Sequence, residues 1–353
     1  MILTLGTNGS SRTVLRWQNA PNGHVFVTGR SGTGKSFFLR QLVYQLHRQG
    51  VRCIILDASQ DWAGQLPDAP GLSPSVREAA LFIDVRSDAF TLDPLLPQQL
   101  RAGVEEDHAG IAHRFSDTLR GAFRLPQVQS LYLSNATCDY LDRCPGTPSI
   151  PGLLTFLSGG LEPAARKRIE LSIERLRSFN RSVHCGSASY DWQLDTPGLT
   201  VVDFSRVPSE PEQALVTELI LGDLWGQRMR QGAELVPAVV VMDECQRLKF
   251  GPRNFTTRLL REGRKYRLSG WFASQWLSDK EAVAALDQAA LRAYFQPYAS
   301  NVGDLAKRLS VGNPKLTQTY ARHLGQLRVG QFLYHNLNGR PIIANVQAMP
   351  CES

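Results

Sequence analysis

One segment constrains this chain more than any other: the apolar run His24-Val25-Phe26-Val27-Thr28 leads straight into Gly29-Arg30-Ser31-Gly32-Thr33-Gly34-Lys35-Ser36. A strand, a glycine-rich turn, then a lysine and a hydroxyl residue opening a helix is an arrangement that cradles phosphate. The glycines let successive backbone N–H groups turn inward around phosphate oxygens, and a helix beginning near Lys35 adds its positive end. Lys35 is expected to neutralise the β- and γ-phosphates, and the Ser36 hydroxyl to ligate Mg2+. With Phe37 next in line, Gly29, Arg30, Ser31, Gly32, Thr33, Gly34, Lys35, Ser36 and Phe37 form the expected binding set for ATP, with Mg2+.

Far downstream, Val236-Pro237-Ala238-Val239-Val240-Val241-Met242 runs into Asp243-Glu244, placing two carboxylates at the end of a buried strand. Asp243 is expected to hold the metal, and Glu244 to orient or deprotonate an attacking water. The adjacent acid points to hydrolysis, because a nucleotide kinase needs no base for water. Ser269 to Ser274 reads as a further strand ended by Gln275, which either senses the γ-phosphate or satisfies loop backbone. Arg261, Arg264, Lys265 and Arg267 cluster just before it. One of them is a candidate arginine finger; the alternative is a solvated basic face.

The phosphate loop sits in an alternating pattern. Short apolar runs recur at His24–Thr28, Arg52–Asp57, Leu81–Val85, Thr200–Phe204, Ala238–Asp243 and Ser269–Ser274. Helical stripes lie between several of them, Phe38, Leu42 and Leu46 in one and Leu215, Leu219 and Leu224 in another. Strand alternating with helix implies an α/β fold, a mostly parallel sheet covered on both faces. From Pro94 to about Asn180 the strand signal fades and helical stretches such as His113–Phe123 and Pro163–Phe179 take over, with Pro145–Gly152 and Ser158–Gly160 as punctuation. The expected organisation is a discontinuous core, residues 1–95 and 181–353, interrupted by an all-α insertion at 96–180.

Lys and Arg total 39 against 32 Asp and Glu, a net charge of +7 that favours a polyanionic partner. The six cysteines, Cys53, Cys138, Cys144, Cys185, Cys245 and Cys351, show no metal-ligand spacing and read as reduced thiols. No apolar run is long enough for a membrane helix and the first residues lack a signal pattern, so the expectation is a cytoplasmic chain without membrane insertion.

Taken together, the loop, the strand Ile54-Ile55-Leu56-Asp57 with its acidic turn to Asp61 and Trp62, the strand Thr200-Val201-Val202-Asp203, and Asp243-Glu244 followed by the Gln275 strand resemble the FtsK/HerA superfamily of ring-forming ATPases. That superfamily includes the conjugation and type IV secretion ATPases. The resemblance implies a RecA-like P-loop NTPase core, an α-helical subdomain following an element like Phe90-Thr91-Leu92-Asp93-Pro94, and a homo-hexamer. It aligns the superfamily's arginine with Arg264, acting on the neighbouring subunit, and its strand-end glutamine with Gln275. Arg267 stands where a glycine is common, and Ser274 where threonine is usual. The leading expectation is a motor that translocates double-stranded DNA and docks on a membrane or nuclease partner protein. Arg166, Lys167, Arg168, Arg175 and Arg177 are candidates for a phosphate-facing surface on the insertion, or for a solvated face. The alternatives are a secretion-type ATPase driving protein or pilus-subunit transport, and a nucleotide-gated assembly switch.

Overall fold

The computed structural model describes residues 1–8, 10–17, 20, 22–64, 71–101, 103–186, 188–231, 235–336 and 342–345; Cys351 lies outside them. In chain order the strands are β1 (Ile2–Asn8), β2 (Ser11–Arg16), β3 (Val25–Thr28), β4 (Arg52–Asp57), β5 (Ala80–Asp84), β6 (Gln99–Arg101), β7 (Val104–Glu105), β8 (Gly198–Asp203), β9 (Ala238–Met242), β10 (Leu268–Ser274), β11 (Leu291–Phe295), β12 (Gln331–Asn336) and β13 (Ile342–Asn345). The helices are α1 (Lys35–Arg48), α2 (Pro74–Glu78), α3 (His108–Phe123), α4 (Gln127–Arg143), α5 (Ile150–Thr155), α6 (Pro163–Arg168), α7 (Glu170–Ser182), α8 (Glu210–Arg230), α9 (Phe255–Glu262), α10 (Lys280–Leu286), α11 (Val302–Leu309) and α12 (Pro314–Gln326).

All six expected strands form, and the sheet runs β2-β1-β13-β12-β11-β3-β10-β9-β4-β8-β5. From β11 to β5 every pairing is parallel; β12, β13, β1 and β2 extend the sheet antiparallel. The parallel strands are apolar at consecutive positions because both faces are covered. Val25, Val27, Cys53, Ile55, Val239 and Val241 pack with Phe38, Leu42 and Leu46 of α1, whereas Phe26, Ile54, Leu56, Val240 and Met242 pack with Leu215, Leu219 and Leu224 of α8. The two-residue period of a strand divides them this way.

Helices α3 to α7 occupy the stretch where the strand signal fades, although the short β6–β7 hairpin precedes them. Their buried residues, Ile111, Phe115, Leu133, Leu153 and Phe179 among them, belong to the same cluster as the α8 face of the sheet. The single helix expected at Pro163–Phe179 is two, because Ile169 leaves helical geometry (φ −117°, ψ 12°) and turns a 1% exposed side chain into that cluster. Ser158–Gly160, expected as punctuation, lies within a π-helical turn that continues α5. Cys53, Cys185 and Cys245 are buried, and burial pushes the first two thiols up to about 12. Among the described residues no helix is long and apolar enough to cross a membrane.

Candidate nucleotide site

The loop between β3 and α1 is shaped by three glycines with positive φ, Gly29 at 155°, Gly32 at 74° and Gly34 at 106°. Gly29 is also fixed by contact: a Cβ there would lie 2.6 Å from Cβ of Phe295. Backbone bonds tie the loop to both flanking strands, Gly29 N–H to the Ser274 carbonyl (3.3 Å) and Arg30 N–H to the Gln296 carbonyl (2.9 Å). The Gly330 N–H donates to the Thr33 carbonyl at 3.0 Å from the turn before β12. Inside the loop the Arg30 carbonyl accepts from Thr33 Oγ1 (2.8 Å) and Lys35 Nζ (3.0 Å). Burial lowers the pKa of Lys35, and the charges of Asp243 and Glu244 oppose that shift.

β10 pairs with β3 with Ser274 opposite Thr28, and β9 is the next strand along, so the ends of β3, β10 and β9 lie side by side. This brings Ser36 and Asp243 together, with Ser36 Oγ donating to Asp243 Oδ2 at 2.9 Å. Burial pushes the Asp243 carboxyl above its usual range, while the Ser36 hydroxyl and the Glu244 N–H (3.0 Å) favour its charged form. A serine hydroxyl beside a buried carboxylate is a hard-oxygen pair suited to Mg2+, so these residues fit the expected metal. Glu244 has a left-handed backbone, φ 55°, a strained conformation for a residue with a Cβ. Its carboxylate accepts from Gln275 Nε2 at 3.2 and 3.4 Å and from Gln246 Nε2.

Lys35, Ser36, Asp243, Glu244 and Gln275 therefore converge, whereas Arg264 does not join them. It is exposed in a 3-10 turn at Gly263–Tyr266, before the opposite end of β10. Asp57 proves to be the organiser of its turn. It is fully buried and its two oxygens accept from the N–H groups of Ser59, Trp62 and Ala63 at 3.0 to 3.1 Å. Sequence reasoning missed Gln246, the supports Phe295 and Gly330, and Arg40 of α1, which is 6% exposed and lies 5.6 Å from the Trp62 ring centre. A four-residue step from Ser36 along α1 was the signal available for Arg40.

Residues 14–70 match the family described as type IV secretion-system coupling protein DNA-binding domain. No curated protein matches the chain. Among solved structures, VirB4 of Thermoanaerobacter pseudethanolicus superposes with a TM-score of 0.74 at 17% identity, covering 99% of this chain and 97% of that one. The plasmid coupling protein TrwB, in complex with the non-hydrolysable ATP analogue ADPNP, gives 0.68 at 14% identity, covering 99% and 94%. TrwB with ADP and Mg2+ gives 0.66 at 14% identity, covering 93% and 86%. The chain thus has the fold shared by the VirB4 and TrwB structures.

Proposed function

We propose that the chain is an ATP-hydrolysing motor that translocates double-stranded DNA as a homo-hexameric ring. The observation that carries this reading is the contact of Ser36 with Asp243 at 2.9 Å beside a Glu244 held by Gln275. Lys35 exchanges the Arg30 carbonyl for the β- and γ-phosphates of ATP, and Ser36 and Asp243 would hold Mg2+. Bound there, Mg2+ would neutralise phosphate charge. Glu244, fixed by two side-chain amides, orients a water and takes its proton; Gln275 positions that carboxylate. Arg264 acts on the site of the adjoining subunit. The same reading divides the chain into a core, residues 1–95 and 181–353, and a helical insertion, residues 96–180.

DNA as the cargo draws support from the net charge of +7 and from the helical stretch, where Arg166, Lys167 and Arg177 line one hollow of about 490 Å3. Glu170 and Glu174 share that hollow. The match of residues 14–70 to a type IV secretion-system family supports a second reading, a secretion-type ATPase that drives protein or pilus-subunit transport. Steady-state ATPase rates with and without linear double-stranded DNA separate the two, measured at low and moderate salt over a range of protein concentrations. The DNA motor is expected to be stimulated by DNA, less so as salt rises, and to respond cooperatively to protein concentration. Activity indifferent to DNA refutes it and leaves the second reading.

A further inference from the structure

Val128 and Leu131 of α4 and Leu171 of α7 are exposed by 64%, 60% and 41%, more than any other large apolar side chain of the described residues 103–186. A single exposed apolar side chain needs no explanation, but these three stand together. Arg168, at the end of α6, donates to the Tyr132 hydroxyl and lies 4.7 Å from that ring's centre. Arg175 of α7 lies 5.8 Å from the ring centre of Phe123, the last residue of α3. The segment from Arg168 to Arg175 thus runs alongside the segment from Phe123 to Tyr132, in the opposite direction. The two contacts bracket Leu171 on one side and Val128 and Leu131 on the other.

We propose that this face docks an acidic amphipathic helix of a partner protein, its apolar stripe on Val128, Leu131 and Leu171 and its carboxylates on the arginines around them. The rim is cationic. Arg124, Arg168 and Arg175 are exposed, and among the described residues none of the three is ion-paired. The acids of α7, Glu170 and Glu174, lie on another stripe of that helix and line the hollow with Arg166, Lys167 and Arg177. Each guanidinium has five N–H donors, so Arg168 keeps donors to spare beyond the one given to Tyr132. An apolar centre within unpaired arginines calls for a partner that brings an apolar stripe and negative charge together. A helix does so with leucine-type residues three and four apart and Asp or Glu beside them.

Two other polyanions are served less well. Apolar and basic groups together also suit an anionic lipid surface. The exposed stripe of α4, however, continues from Val128 and Leu131 through Asn135 to Asp139, so a flat anionic surface resting on Leu131 meets a carboxylate about two turns on. A partner helix that crosses α4 avoids that acid. Duplex DNA satisfies the arginines but gives the three apolar side chains little to pack on beyond thymine methyl groups.

The test is fluorescence anisotropy of a labelled synthetic helical peptide, with leucines three and four apart flanked by glutamates, titrated with the full chain. The same peptide with lysine for glutamate, a short DNA duplex and phosphatidylglycerol vesicles are titrated beside it. Expected for the unaltered chain is binding of the glutamate peptide about tenfold tighter than the lysine peptide, weakening as salt rises. Leu131→Glu and Val128→Glu, each at an exposed position and with an unchanged melting temperature, are each expected to lower that affinity about tenfold. Arg168→Glu combined with Arg175→Glu is expected to invert the preference, so that the lysine peptide binds more tightly. Absence of glutamate-peptide binding to the unaltered chain, equal binding of the two peptides, or binding untouched by Leu131→Glu and Val128→Glu each overturns the proposal. If those two changes instead weaken binding of the duplex or the vesicles and not of the peptide, the face belongs to that ligand and the proposal falls.

Discussion

Replacing Asp243 with asparagine separates stability from function at one position. The side chain keeps its size and loses its charge. In the folded chain burial holds the Asp243 carboxyl above its ordinary range, so the native state binds that proton more tightly than the unfolded state does. Ionising Asp243 therefore costs stability, and that cost grows as pH rises through the folded value. Taking a carboxylate out of water costs several kcal/mol, offset by hydrogen bonds to a charged group worth about 1.5–3 kcal/mol each. Asp243 accepts two, from Ser36 Oγ and Glu244 N–H. Asparagine has one acceptor oxygen and keeps one of them, and Lys35 retains Glu244 as a charged neighbour. The expected balance is a gain of about 1 kcal/mol, seen as a Tm about 1 °C higher in the nucleotide-free protein. Function moves the other way, because an amide oxygen is a poorer Mg2+ ligand than a carboxylate, so the benefit of Mg2+ over EDTA in ATP binding is lost. Calorimetric melting and ATP titration with Mg2+ or EDTA read both effects. A Tm several degrees lower, with the Mg2+ dependence intact, refutes the reasoning.

Glu244→Gln is expected to keep ATP affinity while lowering the hydrolysis rate about 10²–10⁴-fold; an unchanged single-turnover rate removes Glu244 as the base. His24 is 1% exposed, accepts from the Gly270 N–H at 3.0 Å, and burial lowers its pKa from 6.5 to about 4. Since the unfolded state binds the proton more tightly, His24 contributes stability that is present above 6.5 and lost as pH falls toward 4, a loss of about 3 kcal/mol at the limit. Denaturant titrations of His24→Asn should show a shallower acid-side decline, and parallel curves would contradict this. Arg264→Ala mixed with Lys35→Ala should recover part of the ATPase activity, since one mixed interface pairs an intact loop with an intact arginine; no recovery at any ratio counts against action between subunits.

The parts of the fold legible in the sequence are those whose side chains face apolar partners on both sides. Ile54, Ile55 and Leu56 announce β4 because each face of the sheet needs filling, and the loop after β3 is legible because glycine alone tolerates its φ values. The antiparallel extension gives a weaker signal. In β2 only one of six residues is buried, and β11 carries Arg292 and Ala293 within Leu291–Phe295, so neither has a clean apolar run. That loss matters at the site, because Phe295 and Gln296 brace the phosphate loop from β11. The break at Ile169 was hidden for a related reason: helical periodicity reports which residues face inward, not whether one turn is unwound to bring a buried isoleucine there.

Arg264 marks a different limit, one that the proposed ring would set by assembly. β10 runs parallel to β3, with Gln275 following the end that meets the phosphate loop and Arg264 preceding the other. Seven residues of strand at about 3.3 Å each separate the two ends by about 20 Å. An arginine at that distance cannot stabilise charge on a phosphoryl group over Lys35 of its own chain. Under the proposed ring arrangement its position has a use: one strand serves two nucleotides, Gln275 on its own subunit's and Arg264 on a neighbour's. No periodicity within a chain would encode such a residue, because in that ring its partner would be supplied by symmetry and not by the core.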